Sequence, residues 1–255
     1  MSNNLIYFGQ FKQDKIIDKL LKGKRSGYFI DIGAHDGITF SNSYFFEKYR
    51  NYGGICFEAN TLVFRQLDKN RNATCVNAAI SKEDGKVTFI QCIGYGEMLS
   101  GIKEFRDPRH IERTKMTIEK HGGRIVESEV PSMNLNNFLQ THQIINIDFL
   151  SIDIEGGEYE ILKTINFDSL DIKIICVELN YPEIENEIIN LLNNVGYSLI
   201  TKIDVDGLFI KRKSKKINYL YMLKLFLNYR YGYVKRLVKN KIFDKILLVR
   251  TKSKL

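Results

Sequence analysis

The stretch YFIDIGAHDG, residues 28–37, decides the architecture. Tyr28–Asp31 is a short apolar run that ends in a glycine-bearing turn, the pattern of a strand buried inside a parallel sheet. Gly33 and Gly37 permit a tight turn and close backbone approach to a ligand. The helix that follows presents its N-terminus to an anionic group. In open parallel sheets ligands sit at the carboxyl ends of the strands, so what each strand ends in carries the functional argument.

Working outward, a helix is expected from Gln13 to Lys22, with Ile16, Ile17, Leu20 and Leu21 on one stripe. After the opening strand come a helix over Ser43–Arg50, a strand over Gly54–Glu58 and a helix over Thr61–Asn70. Strands are expected at Ala73–Asn77 and Val87–Cys92, with pairing across the turn Glu83-Asp84-Gly85. From Gly94 to Val130 the periodicity breaks down, which predicts an insertion or lid over the substrate side. Order resumes with a helix at Leu135–Gln140, a strand at Phe149–Asp153 and a helix at Glu158–Ile165. A strand at Ile172–Glu178 and a helix at Ile184–Asn193 follow. A hairpin closes the domain, Tyr197–Ile203 with Leu208–Lys211, turned at Asp206-Gly207. Alternating strands and helices predict a parallel sheet covered on both faces. The domain division is an N-terminal helical segment at 1–27, the α/β domain at 28–212 and a tail at 213–255.

Charge is unevenly placed. The whole chain of 255 residues is +8, yet Lys211–Leu255 holds fifteen Lys or Arg against the single acid Asp244. The rest is therefore acidic, and attraction to polyanions belongs to the tail. Leu220, Leu223, Leu227, Val234, Leu237 and Val238 recur near helical spacing among lysines and arginines. That reads as a basic amphipathic segment suited to an anionic membrane surface, with packing on the domain itself or on a partner subunit as the alternative. Nucleic acid is the weaker rival, since the body is acidic and no Asn-Pro-Pro-Tyr base-flipping motif occurs. No run is apolar enough to span a bilayer, and the first fifteen residues lack a signal-peptide pattern, so a cytoplasmic protein, peripheral on a membrane at most, is expected. Cys56, Cys75, Cys92 and Cys176 form no CxxC pair and read as reduced thiols.

The second strand ends in Glu58, twenty-one residues after Gly37. An acid there can accept both ribose hydroxyls of a nucleoside. A dinucleotide site would call for GxGxxG, but G-A-H-D-G puts His35 at the middle position, and Asp31 would repel a pyrophosphate. The same acid suits an ammonium group, so S-adenosylmethionine fits better than NAD. An NAD-dependent oxidoreductase and a non-catalytic binding module remain the rival classes.

These residues resemble a known family. DIGAHDG (31–37), CFEAN (56–60) and DFLSIDIEGGEYEIL (148–162) look like the FkbM-type methyltransferases, and the likeness extends through NAAIS (77–81), LSGI (99–102) and VELN (177–180). The resemblance implies a Rossmann-like class I methyltransferase sheet of seven strands with a C-terminal antiparallel hairpin. It also implies methyl transfer from S-adenosylmethionine to a hydroxyl, with sugars, glycolipids and polyketide-type products among the acceptors. Carried over by motif, Asp31, Gly33, Ala34 and Gly37 would line the methionine part of the cofactor. Glu58, with Ala59 and Asn60 beside it, would hold the ribose, and Asn77 and Ala78 would lie near the adenine. His35 stands where the family often has Asn. Ser41 and Asn42 are expected to cap the next helix, with contact to the cofactor carboxylate as the alternative.

Methyl transfer to oxygen is an in-line displacement, so positioning dominates and the acceptor proton must be removed as the bond forms. Asp153, Glu155 and Glu178 are the candidate bases, all at strand ends. Together they could instead hold Mg²⁺, though no diagnostic metal spacing is present. Glu155 is alternatively a cap for the helix that starts near Glu158. Arg106, Arg109, His110, Arg113, His121 and Arg124 form a basic set that could recognise a phosphate or pyrophosphate on a nucleotide-sugar or lipid-linked donor; a solvated charged loop is the plainer reading. The oligomeric state is not legible.

Overall fold

The computed structural model describes residues 5–214 and 217–232. In chain order the elements are α1 (Gln13–Leu20), β1 (Tyr28–Ile32), α2 (Tyr44–Arg50), β2 (Gly53–Phe57), α3 (Thr61–Asn70), β3 (Thr74–Val76), β4 (Ala79–Ser81) and β5 (Gly85–Ile93). Next come β6 (Gly101–Ile102), α4 (Pro108–His121), β7 (Arg124–Asn134), α5 (Leu135–Thr141), β8 (Asn146–Ile152) and α6 (Glu158–Thr164). The last are β9 (Asp171–Glu178), α7 (Pro182–Asn194), β10 (Tyr197–Ile203), β11 (Asp206–Lys211) and a helix over 219–232.

Seven strands form one sheet in the order β10-β11-β9-β8-β1-β2-β3. The strands from β9 to β3 run parallel, and β11 is antiparallel to both β9 and β10. This is the Rossmann-like class I methyltransferase sheet. The chain starts at β1, builds outward through β2 and β3, then returns to the other side of β1 with β8. The crevice between β1 and β8 is therefore the point where strand order reverses, the place where such sheets bind ligands.

Strand alternation sorts the core into two layers. Ile30, Ile32, Ile55, Phe57, Leu150 and Ile152 point to the face covered by α5, α6 and α7. Phe29, Cys56, Phe149, Ile174 and Cys176 point to the opposite face, where Ile17 and Leu20 of α1, Phe45 and Phe46 of α2 and Leu67 of α3 pack on them. Asp31 shares the side of Phe29, so it is buried beneath α2 instead of emerging in solvent. All four cysteines are free.

Several expectations are corrected here. Residues 94–130 are not an irregular stretch: they contain the 14-residue helix α4 and most of the 11-residue strand β7. Their signal is faint because α4 buries only His110 and Thr114, and β7 is mainly exposed, so neither shows a clear apolar period. β7 pairs antiparallel with β5 from Gly85↔Ser132 to Ile93↔Arg124, giving a second sheet, β4-β7-β5-β6. Hence β5 does not pair with β3, which lies in the main sheet beside β2. The final hairpin turns at Asp204-Val205; Asp206 and Gly207 already belong to β11, paired with Glu178 and Val177. Asp204, with φ 54°, supplies the left-handed residue that the turn needs.

The segment after residue 213 begins as part of the domain. Asn218 N–H donates to Leu20 O at 2.8 Å, Ile217 is fully buried, and Tyr221, Met222, Leu225 and Phe226 pack on the α1 side of the sheet. Leu220 (84% exposed), Leu223, Leu227 and Tyr231 form the opposite, outward stripe. Residues 215–216 and 233–255, including Val234, Leu237 and Val238, lie outside the described residues. Among the described residues, no helix is long and apolar enough to cross a membrane.

Candidate functional site

The crevice opens into a cavity of about 630 Å³ running along the carboxyl ends of β1, β2, β8 and β9. Its floor is set by Gly33, whose φ is +85°; a Cβ there would come within 1.8 Å of the Asp153 carbonyl oxygen. The N–H groups of Gly33 and Ala34 both donate to Phe57 O at 3.0 Å, and Asp153 N–H donates to Ile32 O. These bonds lock the turn after β1 to the strands on either side.

At the β2 end, both oxygens of Glu58 accept backbone donors: Oε2 takes His35 N–H at 2.9 Å and Oε1 takes Asn60 N–H at 2.7 Å. Each oxygen keeps a lone pair for a ligand. Burial raises the Glu58 pKa, and these two N–H bonds pull against that rise. Ala59, Val63, Ala78, Ala79, Phe89, Leu99 and Ile102 line the cavity alongside as an apolar wall. Asn60 also caps α3 by accepting Leu62 N–H, and its Oδ1 takes a bond from Gln91 Nε2 at 2.7 Å.

Asp31 accepts the Ser43 hydroxyl, and Arg71 beneath it joins three partners at 3.0 Å: Glu47, Gly37 O and Ser43 Oγ. Burial raises the Asp31 carboxyl, opposed by the Ser43 bond and the Arg71 charge. Gly37 does not line the cavity; a Cβ there would meet Arg71 and Leu67 at 2.7 Å, so its place is in packing α3. Asn77 is likewise behind the wall, its amide donating to the Glu58 and Ala59 carbonyls. His35, at φ 50°, reaches Glu97 Oε1 at 3.1 Å across the cavity mouth. Ser41 accepts Tyr44 N–H at 3.1 Å, a capping contact, while Asn42 faces the cavity and donates to Ser151 Oγ.

At the other end, Asp153, Glu155 and Glu178 each offer an oxygen within 4.8 Å of the others. Asp153 is exposed only to the cavity; dense protein and neighbouring acids, Glu155 foremost, push its carboxyl well above the usual range. Burial, then Asp153 and Glu155, push Glu178 up to about 11. Its Oε2 is buried with no hydrogen-bond partner.

Glu155 is not the helix cap. The N-cap of α6 is Gly157, with no side-chain capping bond, and Glu158 reaches back to brace the preceding turn, accepting Gly156 N–H at 3.0 Å and Ile154 N–H at 3.3 Å. Glu155, Gly156 and Gly157 all have positive φ, and a Cβ on Gly157 would strike the Phe105 ring at 2.5 Å. This tight turn sends the Glu155 side chain to His110 Nε2, 2.8 Å away. His110 Nδ1 faces Arg106 at 3.1–3.2 Å, and both residues are buried. The basic set therefore does not converge on one ligand. Arg109 pairs with Asp107 and Glu183 and lies over Tyr181, and His121 stacks on Tyr95. Arg113 lies 3.9 Å from Glu155, and Arg124 starts the exposed run of β7.

Three contributors were missed in the sequence. Gln13 of α1 lines the cavity and donates to buried Asp206, so the N-terminal segment closes one side of the site. Arg71 supplies the buried counter-charge to Asp31, and Glu97 covers the mouth. Each lies outside the motifs and far in sequence from its partner. A lone Gln at a helix start or an Arg after one gives no local signal.

Comparison with known proteins adds the family. The model of the methyltransferase FkbM domain matches residues 31–199, more than half of the chain. No curated protein matches. Among solved structures, methyltransferase FkbM of Methylobacillus flagellatus is similar at 12% identity and TM-score 0.41, over 72% of this chain and 43% of that one. This chain thus spans less than half the length of that protein. TrmK of M. capricolum, solved with S-adenosyl-homocysteine, is similar at 14% identity and TM-score 0.40, over 91% of this chain and 87% of that one. The N-terminal domain of human METTL16 gives 12%, 0.42, 80% and 70% for the same measures.

Proposed function

The chain belongs to the FkbM methyltransferase family, and from that premise we propose that it transfers a methyl group from S-adenosylmethionine to a hydroxyl oxygen, with a sugar as the acceptor. The observation that carries the reading is Glu58, whose two backbone-anchored oxygens border a cavity with an apolar wall on one side and three carboxyl groups at the far end.

The residues fit such a cofactor. Gly33 leaves open the space that a side chain would fill, Glu58 retains acceptor capacity for ribose hydroxyls, and the Ala59–Phe89–Ile102 wall suits a flat base. When bound, the cofactor supplies an electrophilic methyl group on a sulfonium. The protein's part is to align the acceptor oxygen in line with that methyl and to take its proton. Asp153 and Glu178, both held toward the protonated form by burial and by the neighbouring acids, stand together with Glu155 at this end, so the proton passes to the cluster and not to a single named carboxyl. A neutral, polyhydroxylated acceptor suits a lining rich in acids better than a phosphate does. The adjoining cleft of about 350 Å³ shares Glu178 and Asn180 with the cavity and adds the side chains of Tyr159 and Tyr181.

The first test is calorimetric titration with S-adenosylmethionine and, separately, NADH, on the wild type and on Glu58→Ala. Micromolar binding of S-adenosylmethionine that weakens about 100-fold in the variant supports the reading, and transfer of labelled methyl to a sugar panel completes it. Binding of NADH alone would overturn it. The outward Leu220–Leu223–Leu227 stripe and the basic residues around it suit contact with an anionic membrane. Co-sedimentation with phosphatidylserine vesicles, lost when the three leucines are changed to serine, checks that contact.

A further inference from the structure

We propose that Asp153, Glu155 and Glu178 form a binding site for a hard divalent cation of the Mg²⁺ or Mn²⁺ class, at the acceptor end of the cavity. The inference rests on the methyl-transfer reading and specifies how the acceptor hydroxyl is held.

Geometry comes first. The three oxygens lie within 4.8 Å of one another. An ion with metal–oxygen bonds of about 2.0–2.6 Å holds opposite ligands roughly 4–5 Å apart, so one ion can touch all three after small rotamer shifts. The donor set is all oxygen, which selects hard cations over zinc or copper.

The second observation is independent of that clustering. Glu178 is 7% exposed, and its Oε2 is buried with no partner. A carboxylate oxygen left so is costly unless a cation or a proton meets it. Among the described residues no ion pair reaches Asp153 or Glu178. Arg113, 3.9 Å away, and the His110 ring, 2.8 Å away, both face Glu155. Glu158, held by backbone donors, and Asp206, held by Gln13, stand close by and add to the acidity of the cluster instead of offsetting it. The site is thus rich in negative charge and short of counter-charge.

Access also fits. Asp153 and Glu155 face the open cavity, where Asn180 and water can complete a coordination sphere and an acceptor oxygen can take one position. A hydroxyl bound there would be more acidic than in water. The competing occupant for the same charge is the amino group of the cofactor's methionine part.

The test uses the full chain after chelator treatment. Mn²⁺ is titrated while the spin-resonance signal of free ion is followed, with and without saturating S-adenosylhomocysteine. Wild type, Glu178→Gln and Asp153→Asn are compared, with circular dichroism to establish folding. The expected result is one Mn²⁺ per chain, retained with S-adenosylhomocysteine, displaced by excess Mg²⁺ and weakened roughly tenfold or more in each variant. Should Glu178→Gln fail to fold, Asp153→Asn, whose side chain faces the void, decides. No Mn²⁺ uptake, equal uptake by the variants, or expulsion of Mn²⁺ by S-adenosylhomocysteine would each overturn the site. Calorimetry of S-adenosylhomocysteine on the same samples separates the two levels. Its binding without Mn²⁺ removes only the cation, whereas silence with both ligands removes the methyl-transfer reading as well.

Discussion

Asp31 on β1 and Asp153, just past the end of β8, stand on neighbouring parallel strands, yet the fold treats them differently. Asp31 receives the Ser43 hydroxyl and has the buried Arg71 close by. Asp153 has its backbone fixed to Ile32, while its side chain meets only the cavity and other acids. The same contrast separates Glu58, satisfied by two N–H donors, from Glu178, whose Oε2 has none. One end of the cavity is therefore finished before any ligand arrives. The other is left electrically unbalanced, and its groups gain most from a proton or cation delivered with the substrates. Preorganised donors belong where a cofactor docks in one pose, and unbalanced carboxyls where a proton must move.

The largest expected effect lies at the finished end. Gly33→Ala should cost more than about 4 kcal/mol of stability, because the new Cβ meets a backbone carbonyl and the residue keeps a positive φ. Urea denaturation measures it, and wild-type stability in that variant would break the idea that this turn is sterically locked. At the unbalanced end a single change should move stability the other way. Glu178→Gln should gain about 1–3 kcal/mol at pH 8 in chelator-containing buffer, while methyl transfer falls roughly 10²–10⁴-fold. The sign follows from the raised pKa. The folded protein holds the Glu178 proton up to about 11, whereas the unfolded chain releases it near 4.5. The stability this proton contributes is full below pH 4.5 and is lost progressively as pH rises toward 11. The gain in Glu178→Gln should therefore be small at pH 4.5 and grow with pH. A gain that is flat across this range would show that Glu178 is ordinarily ionised in the fold.

How much of this was legible differs between the two ends for a physical reason. The strand-to-turn residues Asp31, Gly33 and Glu58 carry a local signature, since a buried strand ending in a glycine turn or an acid is visible within a few residues. Asp153, Glu155 and Glu178 were also visible as acids at strand ends, and the sheet order alone brings β8 beside β9. What the sequence hid is pairing at long range. Arg71 lies forty residues beyond Asp31, and Gln13 nearly two hundred before Asp206. Both act by tertiary contact, which periodicity does not record. Residues 94–130 were misread for a related reason. α4 and β7 form a half-exposed layer, so their apolar period is weak although their hydrogen bonding is regular.

The smallest expected effect tests whether the two ends are separable at all, and it falls on His110. Arg106 donates to His110 Nδ1 from both Nε and Nη2, so the imidazole carries its proton on Nε2 and donates it to Glu155 Oε2 at 2.8 Å. His110 is thus a positioning residue: it aims a carboxyl that sits on a left-handed backbone, at φ 56°, and has no other donor as close. His110→Phe removes that aim and leaves Arg106 without one of its acceptors, which should cost about 1–3 kcal/mol of stability. Turnover should fall roughly tenfold with the affinity for S-adenosylhomocysteine unchanged, because no contact of His110 reaches Glu58 or Gly33. His110→Gln, which can accept from Arg106 and donate to Glu155, should recover part of the rate; a merely space-filling role would give no such rescue. An equal loss of cofactor affinity and turnover in His110→Phe would mean that the α4 layer holds both ends together, and the contrast between a finished and an unbalanced half would have to be given up.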